Sequence, residues 1–79
     1  MEKAACVTGG ARGIGYAICA ELASREFRVA VVDVCDEASG EAVCSKLPGR
    51  GHLFIRADIS LPDDRERIVS RLRDSFGRL

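Results

Sequence analysis

The chain has 79 residues, enough for one small domain, and we treat residues 1–79 as a single unit. Its 12 Lys and Arg residues balance its 12 Asp and Glu residues, so no net field would attract nucleic acid or an anionic membrane. No apolar run approaches the roughly 18 residues of a membrane helix. We therefore expect a cytoplasmic protein with neither a nucleic-acid nor a membrane partner.

Apolar patterning begins with a short strand over residues 4–7, which runs into a stretch rich in glycine. A helix is predicted over residues 13–26, because apolar residues then recur at spacings of three and four. Its expected buried stripe consists of Ile14, Ala17, Ile18 and Leu22.

A β-branched run predicts a second strand over residues 28–34, which carries Asp33 near its end. A helix over residues 37–47 should follow, weakened by Gly40 and stopped before Pro48. The third strand is predicted over residues 52–57. A last helix is predicted to begin at Ser60, with Asp63 as its capping-box partner. Its expected buried stripe consists of Leu61, Ile68, Leu72 and Phe76.

Strand and helix thus alternate three times, which is typical of an α/β fold with a parallel sheet. Right-handed crossovers give the strand order 3-2-1. We therefore expect the first half of a Rossmann-type doubly wound sheet, truncated before its fourth strand. Ligands of such sheets bind beyond the carboxyl ends of the strands, so the loops after the three strands should meet at one site.

The cysteines are interpreted as reduced thiols. None of them forms a C-x-x-C pair and no signal peptide precedes them. His52 is the only histidine, which argues against a zinc site, and we expect no metal. Cys6 and Cys19 are expected to face the core, where cysteine acts as a small hydrophobe.

The glycine-rich stretch is the strongest functional signal. Gly9, Gly13 and Gly15 follow Thr8 at the junction of a strand and a helix, where unpaired N–H groups and the helix dipole favour an anion. A P-loop is excluded because Tyr16 stands where its lysine belongs. The pattern predicts a site for a pyrophosphate; the alternative is a purely structural glycine turn.

Asp33 is the expected ribose-binding residue. It lies 18 residues after Gly15 at the end of the second strand, where a carboxylate accepts hydrogen bonds from the adenosine ribose. The alternative role is that of a turn or cap residue before the next helix. Ribose binding by Asp33 favours NAD, because the 2′-phosphate of NADP would bring a second anion to the same place.

The T-G-x-x-x-G-x-G pattern of residues 8–15 resembles that of the short-chain dehydrogenase/reductase family, and in its overall likeness the chain is most similar to the 3-oxoacyl-[acyl-carrier-protein] reductase branch. The resemblance implies a dinucleotide cofactor held by Thr8, Gly9, Arg12, Gly13, Ile14 and Gly15. It also implies adenine contacts from Asp58 and Ile59, although Asp58 is equally suited to end a strand in an ordinary turn. A basic residue at position 12 is associated in this family with NADP, and we rank Asp33 above it.

The family's catalytic serine and its Tyr-x-x-x-Lys pair have no counterpart here, since Tyr16 is the only tyrosine and Ala20 stands four residues after it. No catalytic residue is assigned. We expect the amino-terminal part of a homo-oligomeric, NAD-dependent oxidoreductase that acts on a carbonyl/alcohol pair, with a 3-oxoacyl thioester as the first candidate substrate. The alternative is a non-catalytic nucleotide-binding module or a decayed remnant.

Overall fold

The computed structural model describes residues 3–77, so the four outermost residues of the predicted domain lie outside the described part. Three strands alternate with three helices, as the sequence predicts. They are β1 (Lys3–Thr8), α1 (Gly13–Ser24), β2 (Phe27–Asp33), α2 (Glu37–Lys46), β3 (Leu53–Arg56) and α3 (Pro62–Phe76).

The three strands form a parallel sheet with β2 in the middle, which confirms the predicted order. β1 pairs with β2 from Lys3 opposite Phe27 to Thr8 opposite Val32. β2 pairs with β3 only from Ala30 onward, because β3 begins at Leu53 rather than at the predicted residue 52. All three strands run in one direction, so their carboxyl ends and the loops that follow lie along one edge of the sheet.

Helices cover both faces of β2, and its side chains alternate between two apolar clusters. Val29 and Val31 pack with α1 and α2, while Ala30 and Val32 pack with α3. All four of these side chains are fully buried. Burial on both faces explains why β2 is a continuous apolar run instead of an alternating one.

The predicted buried stripe of α1 is wrong. Cys19 and Ala23 are buried, whereas Ile14 is 82% exposed and Ile18 is 46% exposed. Ala17 is also exposed and Leu22 is half-buried. Because α1 is apolar around most of its circumference, periodicity does not select one face. The buried face carries Cys19 and Ala23, whose small side chains allow a close approach of helix and strand, and the half-buried Tyr16 and Leu22 pack beside them.

Close approach also brings Cys19 against the loop that precedes its helix. Its Sγ lies 3.7 Å from the carbonyl oxygen of Gly10 and donates a weak hydrogen bond to it. A Cβ on Gly10 would lie 2.9 Å from the same sulfur, so that glycine is required for the contact. The prediction that Cys19 faces the core is confirmed, while Cys6 is only half-buried.

The buried α2 residue Gly40 has a packing role that the sequence pattern does not indicate. The sequence suggests that this glycine weakens the helix, yet it lies against the ring of Phe54 on β3, and an added Cβ would overlap that ring. The lower helix propensity of glycine is therefore accompanied by tighter packing of α2 on the sheet. Phe54 itself is buried.

The start of α3 also differs from the prediction. The helix begins at Pro62, whose fixed φ and missing N–H suit the first helical position. Leu61, expected to be buried, is the N-cap and is 50% exposed, and no side chain caps the helix. Ser60 and Asp63 form no capping box, because Ser60 bonds instead to the carboxylate of Asp58.

All four cysteines are free, and three of them have pKa values above the ordinary value. Desolvation is the main cause in each case, and it acts with the charge of Glu41 to raise the pKa of Cys44 to about 11. Such thiols are poor nucleophiles at neutral pH. Within residues 3–77, no helix has the length and apolar character required to cross a membrane.

Candidate functional site

The loops after β1, β2 and β3 meet in a shallow cleft of about 280 Å³ at the carboxyl edge of the sheet. Two sequence-predicted acids, Asp33 and Asp58, line it together with Gly9. The structure therefore brings together residues that lie up to 51 positions apart in the chain, from Thr8 to Ile59. The full lining is Thr8, Gly9, Val32, Asp33, Val34, Ala57, Asp58 and Ile59.

The glycine loop is fastened to β2 through its first residues. The N–H groups of Gly9 and Gly10 both donate to the carbonyl oxygen of Val32, at 2.7 and 3.3 Å. Gly9 and Gly13 have φ values of 68° and 62°, in the left-handed region that glycine adopts without steric cost. The backbone can therefore turn sharply from β1 into α1.

Gly15 allows α1 to begin directly against this loop. A Cβ at position 15 would overlap the carbonyl group of Gly9, so any larger residue would push the helix and the loop apart. The third glycine of the motif is therefore needed for close approach, while Gly9 and Gly13 are needed for their dihedral angles.

The amino end of α1 offers unpaired donors. Arg12 is the N-cap residue and has extended backbone at φ −160° and ψ 168°. Its side chain forms no capping hydrogen bond. Within residues 3–77, the N–H groups of residues 12–15 have no acceptor, whereas Tyr16 N–H donates to the carbonyl oxygen of Arg12. Consecutive main-chain donors at a helix amino terminus are an arrangement that favours the binding of an anion.

Asp33 lies beside these donors as the last residue of β2 and is half-buried. Its Oδ2 accepts the N–H of Ala11 at 3.0 Å, and its Oδ1 accepts the N–H of Val34 at 2.8 Å. Its backbone oxygen accepts the N–H of Ala57 at 2.9 Å. Asp33 therefore connects all three loops of the cleft.

Asp58 ends the β3 segment in a tight turn, which agrees with its alternative role. Its Oδ1 accepts from the backbone N–H of Ser60 at 2.9 Å and from the hydroxyl of Ser60 at 2.7 Å. The hydroxyl bond, and then the backbone bond, lower the pKa of this carboxyl. The adjacent Ile59 is 49% exposed at the mouth of the cleft. Adenine contacts by these two residues remain a prediction.

Two further residues were missed by the sequence argument. Ala11 and Val34 take part through their N–H groups, and nothing in an alanine or valine side chain indicates such a contact. Tyr16 is half-buried and packs against the core cluster beneath α1. Within residues 3–77, no cluster of three potential metal ligands occurs.

Comparisons with known proteins find relatives of this chain. The family model described as short chain dehydrogenase matches residues 3–79. The chain is 49% identical to the sex determination protein tasselseed-2 of Zea mays over 67 residues, which cover 85% of this chain and 19% of that protein. It is 39% identical to L-fucose dehydrogenase of Bos taurus over 77 residues, 98% of this chain and 27% of the relative.

A third relative is the 3-oxoacyl-[acyl-carrier-protein] reductase FabG of Staphylococcus aureus, 32% identical over 81 residues, 100% of this chain and 33% of the relative. The chain thus spans between about a fifth and a third of the length of these relatives.

Solved structures show the same likeness. A crystal structure assigned to the short-chain dehydrogenases/reductases, from Sinorhizobium meliloti 1021, superposes with a TM-score of 0.90 at 33% identity, covering 100% of this chain and 37% of that one. YwfH, an NADPH-dependent reductase involved in bacilysin biosynthesis, superposes with a TM-score of 0.85 at 27% identity, covering 100% and 35%. The fold, the glycine loop and the match of the family model lead to one conclusion: the chain belongs to the short-chain dehydrogenase/reductase family.

Proposed function

We propose that this chain binds the adenosine and pyrophosphate part of NAD within an oxidoreductase that interconverts a carbonyl compound and an alcohol. One observation carries the proposal. The unpaired N–H groups of residues 12–15 lie at the same edge of the sheet as the half-buried carboxylate of Asp33. Donors for a phosphate next to acceptors for a ribose match the chemistry of a dinucleotide.

The shape of the loop supports the same cofactor. A Cβ at Gly15 would overlap the carbonyl group of Gly9, so the missing side chain lets α1 begin with its unpaired donors directly beside the loop. We infer that Gly9, Gly13 and Gly15 admit the pyrophosphate and that Thr8, Arg12 and Ile14 complete the loop. Asp33 would accept from the ribose, and Asp58 and Ile59 would border the adenine.

A nicotinamide dinucleotide supplies the hydride in this class of reaction. The residues of this chain bind and orient the cofactor, and residues 3–77 provide no general acid or base in the cleft beyond two aspartates with structural hydrogen bonds. A 3-oxoacyl thioester is the first candidate substrate, because relatives at 36% and 32% identity are a putative ketoacyl reductase and a 3-oxoacyl-[acyl-carrier-protein] reductase.

Isothermal titration calorimetry of the intact protein with NADH tests the proposal. Saturable one-site binding is expected, and Gly15→Ala should abolish it because the added methyl overlaps the carbonyl group of Gly9. Ala42→Ser adds one atom on exposed α2 and is the matched control. Undiminished binding by the Gly15 variant would contradict the assignment of the glycine loop.

A further inference from the structure

We propose that Asp33 is a positioning residue for the glycine loop, in addition to accepting from the ribose. The inference rests on the proposed dinucleotide site and deepens it. Oδ2 of Asp33 accepts the N–H of Ala11 at 3.0 Å, across 22 residues of sequence. The carboxylate therefore ties the glycine loop to the end of β2.

The position of Ala11 in the loop gives this bond its importance. Residues 9 and 10 are fixed to β2 by their own N–H groups, and the unpaired donors begin at Arg12. Within residues 3–77, no hydrogen bond other than that from Ala11 to Asp33 ties segment 11–15 to the sheet. Gly13, at φ 62°, gives the backbone freedom to rotate on the unfastened side of Ala11, so the hydrogen bond of Ala11 limits how the loop approaches the donors.

The second carboxylate oxygen fixes Asp33 itself. Oδ1 accepts the N–H of Val34 at 2.8 Å, which orients the side chain toward the loop. A carboxylate offers about four lone-pair sites, and these two bonds occupy two of them. The remaining sites are available to the ribose hydroxyls, so positioning and ribose binding can occur together.

The tether also divides the loop between the two parts of the ligand. Because Ala11 N–H is already bound to a carboxylate, the phosphate must take the donors that follow, in residues 12–15. The N–H that Asp33 binds and the first N–H that is available to a phosphate therefore belong to neighbouring residues, Ala11 and Arg12. Removing the carboxylate should weaken the binding even of a ligand that has no ribose hydroxyls for Asp33 to contact.

Two measurements on the intact protein test this inference, using Asp33→Ala, Asp33→Asn and the control Glu37→Gln, which removes an exposed carboxylate from the same loop region. The first is amide hydrogen exchange without ligand. Exchange at Ala11 should be about tenfold faster in the Ala variant and intermediate in the Asn variant, whose amide oxygen can still accept, and unchanged in the control.

The second measurement is the binding of NAD and of its analogue lacking both hydroxyls on the adenosine ribose. Asp33→Ala should bind the analogue about tenfold more weakly than the original protein does, equivalent to about 1.4 kcal/mol. A residue that acts only on the ribose would leave the affinity for the analogue unchanged. The near-isosteric Asn variant keeps the test valid if the Ala variant unfolds.

Unchanged exchange at Ala11, or equal affinities for the analogue, overturns the positioning role. Failure of the original protein to bind NAD at all would overturn the proposed function instead. In that case the exchange measurement still decides whether Asp33 holds the loop.

Discussion

The backbone N–H of Val29 donates to Nδ1 of His52 at 3.1 Å, where the ladder between β2 and β3 has not yet begun. Since Nδ1 is the acceptor, the ring proton lies on Nε2, which is 2.7 Å from the carbonyl oxygen of Pro48 and donates to it. A side chain thus supplies the acceptor that a longer β3 would provide. His52 acts in the fold, at the edge of the sheet opposite the cleft.

Replacing His52 with Ala should lower the free energy of unfolding by about 1–3 kcal/mol, because the partly buried N–H of Val29 loses its acceptor. Urea unfolding of the intact protein measures the change. Ser70→Ala, at an exposed position of α3, is the control and should have little effect. Equal stability of the two variants would show that water replaces the ring without loss.

Gly40→Ala should destabilise the protein by about 1–3 kcal/mol through overlap with the ring of Phe54. Helix propensity predicts the opposite sign, a gain of about 1 kcal/mol. The reverse exchange on the same helix, Ala42→Gly at an exposed position, isolates propensity and should cost about 1 kcal/mol. A stabilised Gly40 variant would mean that α2 moves away from the sheet at little cost.

The protein should bind NADH more tightly than NADPH, because the carboxylate of Asp33 repels a 2′-phosphate. Arg12 is exposed and its charge is screened within about 8 Å at physiological salt, so Arg12→Ala should reduce mainly the affinity for NADPH. Asp33→Arg should shift the preference toward NADPH. It should also lower the affinity for both cofactors, because the hydrogen bond to the N–H of Ala11 is lost. Fluorescence titration of the original protein and of the two variants with NADH and NADPH gives the six dissociation constants. Tighter binding of NADPH with Asp33 in place would refute the ribose assignment.

Cys44 should react slowly with iodoacetamide near neutral pH, because desolvation raises its pKa to about 11. Below that pKa the thiolate fraction grows tenfold for each pH unit, so the alkylation rate should rise about tenfold from pH 8 to pH 9 and again to pH 10. Peptide mass spectrometry after timed quenching follows the modification. Rapid labelling at pH 7 would show that the thiol is more exposed in solution.

The sequence was a good guide wherever a single strong pattern decided the outcome. β2 and its terminal Asp33 were predictable, because a β-branched run between a glycine motif and a helix has few alternative structures. The face of α1 was not, since Cys19 and Ile18 are both apolar and only the distance between helix and sheet selects the smaller one. The packing of Gly40 against Phe54 could not be predicted either, because the two residues lie on different elements.

Local polar patterns were ambiguous in a different way. Ser60 was predicted to cap α3, but Asp58, two residues before it, competes for the same hydroxyl and N–H groups and binds both. Pro62 then sets the start of the helix. In the candidate site, Asp33 could be predicted from its position at the end of a strand. The contact of Ala11 could not, because it is made by the backbone N–H, which nearly every residue type has.

The run of unpaired N–H groups at the start of α1 has a consequence for how this loop tolerates sequence change. Every residue type except proline carries the same donor, so residues 12 and 14 can vary in size and charge while the donor array stays intact. Selection at these two positions is therefore free to adjust the choice between cofactors, or the contacts of neighbouring segments, without rebuilding the anion site. The glycines at positions 9, 13 and 15 do not tolerate substitution in this way. A saturation library of residues 8–15 should therefore show tolerant positions at 12 and 14 and intolerant positions at these glycines.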